Sequence, residues 1–338
     1  MVNGSRKWTL LFASISISIL ALAFILLFSP YRLTPATFEA ISEVNLLFIA
    51  VALAMHISAW VVWSFRMKLM SDFLSGTDTE GDLRLSQSLK IILASLFAAC
   101  ITPSQFGGEP VRIYLLRRSG LTVGDGTAIV FGERSLDFMV GMTGGAISFM
   151  LFRTVIPRYS VIFTAIGIIL ILGVLLMVYG ITRPDKLKRF FDWIFTKMKV
   201  HKMERIRDKL YQELENFYEA HKKFQREGKK TIRLALILTI AFWLIEFTIP
   251  SFLLLGLGAD PIWIYSIAAQ FILIIIAAMP ISPGSSGISE LSSAYLYHTL
   301  VGTPLLGIFT LLWRLSTYYT SLIVGAITSM KVISEIKL

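Results

Sequence analysis

Glu133, Arg134 and Asp137 fall within five positions of a stretch that is otherwise apolar. A charged side chain at the middle of a membrane helix costs roughly 2.5 to 3.5 kcal/mol on insertion scales, so each of these must meet a partner or a wet cavity. The i, i+3 spacing of Arg134 and Asp137 lets them meet on one helix face, and a salt bridge pinning two helices accounts for the triplet. Arg314 is harder to place. Trp313 and Thr317 hold the positions that correspond to Glu133 and Asp137, so it has no local carboxylate. It must find Glu290, Glu246 or an anion from outside, and a guanidinium is well shaped for bidentate contact with phosphate.

Two broken stretches lie near these charges: TPSQFGGEP from Thr102 to Pro110 and SPGSSGISE from Ser282 to Glu290. Unwound backbone at membrane depth survives only where it lines a cavity, so matching breaks in two halves of a membrane chain point to a binding site. Gly107, Gly108, Gly284 and Gly287, beside Pro103 and Pro283, let backbone amides turn toward a ligand, and helix N-termini opening after the breaks favour an anionic group. Glu109 and Arg112 are also i, i+3. Arg117 and Arg118 follow, and serve equally as anchors at the headgroup level. Glu290 and His298 are candidate proton carriers, although a lone histidine, His56 included, is more often a hydrogen-bonded interface residue.

Other chemistries fit poorly. Gly284-Ser285-Ser286-Gly287 matches the Gly-x-Ser-Gly pattern of rhomboid-type intramembrane serine proteases with His298 as base. Its serine sits on a broken hairpin, with that histidine a dozen positions on rather than on a separate span. The first break has no such pair. Asp72, Asp78, Glu80 and Asp82 lack regular metal-ligand spacing, and no HExxH, CxxC or Walker-type sequence occurs. Neither an enzyme nor a cofactor is expected. With Cys100 alone, no internal disulfide can form.

The elements that must position these residues are membrane helices. Mean hydropathy is +0.70, with 55% hydrophobic and 16% charged residues, against the roughly 25% charged residues of soluble domains. Spans of about 20 apolar residues are expected at Trp8–Phe28, Leu46–Ser64, Ala128–Leu151, Ile162–Ile181, Leu234–Leu255 and Leu305–Met330. Shorter runs at Leu89–Ile101 and Ile262–Met279 each end at a break. The run after Arg6 and Lys7 is too long for a signal core and lacks a small-x-small site, so a retained span is expected there.

The net charge of +10 is concentrated between Arg183 and Arg233, which the positive-inside rule makes cytoplasmic. Residues 183–232 read as a basic amphipathic connection, with Phe190, Phe191, Trp193, Ile194 and Met198 at helical spacing among lysines. Such a segment suits an anionic membrane face or a solvated hairpin; nucleic acid is not an expected partner. Orientation then follows. Both termini are cytoplasmic if residues 89–118 and 262–300 form re-entrant hairpins entering from opposite faces. Two full spans with an external amino terminus are the alternative, which would place Arg66 to Arg84 outside rather than beside the cytoplasm.

One constant offset in residue number pairs Pro103 with Pro283, Gly107 with Gly287, Arg134 with Arg314, and Gly145-Ala146-Ile147 with Gly325-Ala326-Ile327. Apolar matches are cheap in such a chain, but prolines, glycines and an intramembrane arginine are not. The expected architecture is therefore one all-α transmembrane domain over residues 1–338. It has six full spans and two re-entrant hairpins, and its halves, 89–152 and 269–332, form an inverted repeat.

At this point the residues carry a resemblance. Thr102, Pro103, Gly107, Gly108, Glu109 and Arg112, then Glu133, Arg134 and Asp137, then Pro280, Ser282, Pro283, Gly284, Gly287 and Glu290 resemble the lysylphosphatidylglycerol synthase transmembrane-region, flippase-like family of bacterial and archaeal membrane proteins. The likeness covers nearly the whole length, with the last pattern the loosest. It implies translocation of an anionic phospholipid or polyprenyl-phosphate-linked lipid in the cell membrane. Members fused to an aminoacyl-transferase or a glycosyltransferase carry soluble domains expected to be missing here. A homo-oligomer and a lipid-modifying enzyme are further partners in view, and a soluble-anion transporter is the alternative function.

Overall fold

The computed structural model describes residues 44–75, 83–103, 105–181, 219–220, 222–224, 226–279, 282, 284–301 and 305–336. The expected span Trp8–Phe28, most of the basic connection, and Pro280 and Pro283 lie outside the described residues.

Ten α-helices organise the described chain. They are α1 (Leu46–Ser75), α2 (Leu85–Cys100), α3 (Gly108–Arg118), α4 (Val123–Val155), α5 (Ser160–Ile181), α6 (Lys229–Gly256), α7 (Trp263–Ala277), α8 (Ile288–His298), α9 (Leu306–Arg314) and α10 (Thr320–Ile336). A short 3-10 turn at Pro157–Tyr159 leads into α5, and a π-helical segment, Leu315–Tyr319, joins α9 to α10. Local chemistry sets several ends. Gly120, at φ 104, closes α3 in the left-handed region. The Thr122 hydroxyl then accepts the Asp125 amide at 3.0 Å and starts α4.

Four stretches are long and apolar enough to cross a membrane: Leu46–Ser75, Val123–Val155, Pro157–Leu175 and Lys229–Gly256. Of the six spans expected from sequence, Leu305–Met330 is instead divided by the π segment. The span expected at Leu46–Ser64 extends to Ser75, which carries Arg66 into the helix. At 16 and 11 residues, α2 and α3 reach roughly 24 and 16 Å at 1.5 Å per residue, each short of a ~30 Å hydrocarbon core.

The directions of the helices follow from their contacts. The Asn45 amide donates to the Gly256 carbonyl at 2.8 Å, while the Lys223 ammonium donates to the Leu74 carbonyl, so α1 and α6 run antiparallel. Gln87, Lys90 and Ile91 share a cavity with Leu115, Arg118 and Ser119, which puts the start of α2 beside the end of α3. Likewise Ser266 and Gln270, early in α7, reach the hydroxyl of Tyr297 late in α8. Each pair is thus a hairpin whose open end faces one side. The opposite ends, the two breaks, meet: the Gly284 amide donates to the Thr102 carbonyl at 3.1 Å.

Helix bounds follow the offset seen in the sequence. It carries Gly108–Arg118 onto Ile288–His298, and α1 corresponds with α6, and α4 with the stretch from α9 to α10, within a few residues. The hairpins pack on the opposite half. A Cβ on Gly145 of α4 would lie 2.3 Å from Ile275 of α7, and one on Gly325 of α10 would lie 2.6 Å from the Phe97 amide of α2. Small residues at these points let helices approach closely. Among the described residues two large apolar cores result, one around Phe152, Leu253, Tyr297 and Phe309, the other around Met67, Ile92, Leu116 and Ile129, with a small third of Cys100, Ile101, Tyr318 and Leu322. Between the two large cores lie the breaks and the charges.

Candidate functional site

A closed ion network occupies the first half. Arg66 reaches Glu133 at 3.1 Å and Asp137 at 2.7 and 3.2 Å, and donates to the Thr239 hydroxyl at 2.8 Å. Arg112 donates to the other Glu133 oxygen at 2.5 Å, and its guanidinium lies 5.1 Å from the Trp63 ring centre. The Trp243 indole completes Asp137 at 3.1 Å. Two guanidinium groups face two carboxylates, Glu133 fully buried and both arginines about 1% exposed. The cluster ties four helices together (α1, α3, α4 and α6), and its charges balance, so it offers no net charge to attract a ligand.

This differs from both local pairings expected from sequence. Arg134 does not meet Asp137, and Glu109 does not meet Arg112; each joins a residue on another helix. Asp137 and Arg112 face the interior, whereas Arg134 projects from the other side of α4 and binds Glu109 on α3. Arg66, expected on the cytoplasmic side beyond the span, is the centre of the buried network.

The second contact is more open. Arg134 Nε donates to Glu109 Oε1 at 2.6 Å, and a terminal nitrogen contacts the same oxygen. The side chain of Arg134 is 41% exposed. Glu109 Oε2, though buried, has no hydrogen-bond partner among the described residues. Near it the break itself is exposed at Pro103, Gln105 and Phe106.

In the second half, Arg314 finds Glu290, one of the three candidates expected. Its Nε lies 2.9 Å from Glu290 Oε1, a terminal nitrogen reaches the Ser286 hydroxyl at 3.4 Å, and the guanidinium sits 4.0 Å from the Tyr318 ring centre. Here the arginine side chain is only 6% exposed. Tyr318 also donates to the Cys100 carbonyl at 3.2 Å, so this pair is fastened to the other half's break.

The glycine amides do not point at open space as expected. Gly107 donates to the Thr102 hydroxyl, Gly108 to the Gln105 carbonyl, Gly284 to the Thr102 carbonyl and Gly287 to Glu290 Oε2. Gly284 and Gly287 are required for shape, at φ 58 and 85. A Cβ on Gly284 would also lie 2.4 Å from the Cys100 carbonyl. The serine-protease pattern does not bring its pair together. Ser286, the serine of Gly-x-Ser-Gly, lies against Arg314 at 3.4 Å, and the length of α8 sets His298 roughly 16 Å from the break.

Sequence reasoning missed Arg66, Thr239, Trp63, Trp243 and Tyr318. Arg66 has one signal in the chain: the offset that pairs the two breaks also pairs Trp63 with Trp243, and it sets Arg66 opposite Glu246.

The family described as the lysylphosphatidylglycerol synthase TM region matches residues 11–325. A UPF0104 membrane protein of Archaeoglobus fulgidus is 36% identical over 320 residues, covering 93% of this chain and 94% of its own length. A second UPF0104 membrane protein, from Pyrococcus horikoshii, is 23% identical over 309 residues, 87% of this chain and 90% of its own.

Proposed function

Because the chain belongs to the lysylphosphatidylglycerol synthase TM region family, we propose that it moves an anionic lipid between leaflets without chemical change to it. The cargo is a phospholipid or a polyprenyl-phosphate-linked lipid, with its headgroup passing the hairpin tips and its tails left in the bilayer. The observation that carries this is Arg134: a guanidinium 41% exposed about a third of the way along a helix long enough to span a membrane. An arginine so placed needs an anion or water, and a phosphate offers the matching bidentate geometry. Arg112, by contrast, is taken off the path by Glu133 and Trp63.

In this proposal the hairpins α2–α3 and α7–α8 are re-entrant, and the two halves form an inverted repeat. The antiparallel α1 and α6 and the exchanged hairpins support it. Lys90, Arg118, Lys223, Arg226 and Lys331 gather at one end, with Arg153 and Arg158 at the other, which supports a cytoplasmic basic face in the cell membrane with both termini on that side.

The test is reconstitution of the full chain in vesicles containing a headgroup-labelled anionic phospholipid. Translocation is expected for the unaltered chain, and a loss of roughly tenfold or more in Arg134→Ala, the scale of one charge-assisted contact. Equal rates in both would end the assignment of Arg134. Efflux of an entrapped soluble anion without lipid movement would replace the lipid with that anion.

A further inference from the structure

His56 lies on α1 where α1, α6 and α10 meet. Its Nδ1 is 2.8 Å from Glu246 Oε1 on α6, and its Nε2 is 2.9 Å from the Ser321 hydroxyl on α10. The residue is 6% exposed, and its ring sits edge-on to Trp60 with centres 4.9 Å apart. The charges of the buried network are engaged elsewhere, Asp137 and Glu133 of α4 being held by Arg66 and Arg112. On α2 the only charge is Lys90, paired with Glu335 of α10, and Lys331 lies toward that same end. From the π segment the titratable groups are Tyr318, on Arg314 and Cys100, and Tyr319.

The repeat gives this pair its meaning. Arg66 of α1 and Glu246 of α6 are equivalent positions of the two halves. Arg66 locks α1 to α4 and α6 with a charge that never titrates. On the other side, Glu246 locks α6 to α1 through a histidine, the side chain whose charge changes near neutral pH, and that histidine carries the tie on to α10.

We propose that His56 and Glu246 form a proton-binding site that couples proton uptake to movement of α10 and, through the π segment, to the Arg314–Glu290 pair. With the imidazole neutral, Nδ1–H donates to the carboxylate, Nε2 accepts from Ser321, and the pair bears one negative charge in an apolar surrounding. A proton added at Nε2 cancels that charge. It also turns Nε2 from acceptor into donor, so the Ser321 hydroxyl must rotate to accept from it and turn its own proton to a carbonyl one turn back, as helical serines do. Ser321 stands two residues after the π segment and Arg314 stands just before it, and such segments mark functional distortions in helices. The proposal rests on lipid translocation only for what the proton drives, not for the proton site itself.

Protonation of His56 is read without any lipid assay from the fluorescence of Trp60, taken as the difference between the unaltered chain and Trp60→Phe. Across a pH series a sigmoidal quench on acidification is expected, absent from His56→Gln, whose amide fills the same space but takes no proton. Glu246→Gln is expected to displace the midpoint. In vesicles, translocation by the unaltered chain is expected to vary several-fold over the same series, and the His56→Gln profile to be flat. A flat Trp60 signal, or a quench that survives His56→Gln, overturns the proton site. Identical pH profiles for translocation in the two proteins overturn the coupling. If Trp60 titrates through His56 but no lipid moves at any pH, the proton site stands and the lipid assignment falls.

Discussion

Arg134 and Arg314 occupy equivalent positions in the two halves, and each contacts a glutamate just past a hairpin break, Glu109 or Glu290. Yet one side chain is 41% exposed and the other 6%. The surroundings explain the difference. Arg314 is covered by Tyr318 and approached by Ser286, whereas the counterpart of Tyr318 in the first half is Phe138, which is itself exposed. One arginine–glutamate pair is therefore open, and its counterpart at the same offset is closed.

The comparison is broken most severely at Glu133, which has no acidic counterpart in the second half. Glu133→Gln leaves two buried guanidinium groups short of charge and is expected to destabilise the protein by about 3 to 5 kcal/mol, read as loss of folded protein on extraction or a large fall in Tm. Glu290→Gln strands one buried arginine, with an expected cost of about 3 kcal/mol. Gly284→Ala is next, at about 2 kcal/mol for a strained left-handed backbone that also presses on Cys100, against a smaller effect at Gly108, where a Cβ meets only tight but tolerable contacts. Glu109→Gln is expected to cost under about 1 kcal/mol, since Arg134 is already open to its surroundings. Similar Tm values for Glu290→Gln and Glu109→Gln would mean that open and closed are not different states of the pair. The smallest is Lys90→Ala. Its partner Glu335 is 60% exposed, and a change within about 0.5 kcal/mol is expected.

Much of this was legible in the chain. Pro103, Gly107 and Arg134 each recur in the second half at one offset, and the Gly145 and Gly325 triplets recur because each glycine sits where the opposite hairpin crosses closest. Pairing within the charge clusters was not legible. Side chains three apart share a helix face in principle, but α4 presents Glu133 and Asp137 inward and Arg134 outward, so the true partners come from α1 and α3. Arg66 was hidden for a different reason. It follows an apolar run and precedes Lys68, as a headgroup anchor would, and only the continuation of α1 to Ser75 buries it. Glu246, which stands opposite it at the shared offset, has the opposite sign, so a search for like residues passes over it.

The exchange of hairpins between halves also dictates the order in which the molecule can be completed. Ser329 of α10 donates to the Ala94 carbonyl of α2 across 235 residues of chain. At about 5 to 20 residues per second, synthesis leaves the first hairpin waiting roughly 10 to 50 s for the helix that covers it. Through that interval the flank of α2 that α10 covers stays open, so a nascent chain stopped before Thr320 is a natural target for quality control.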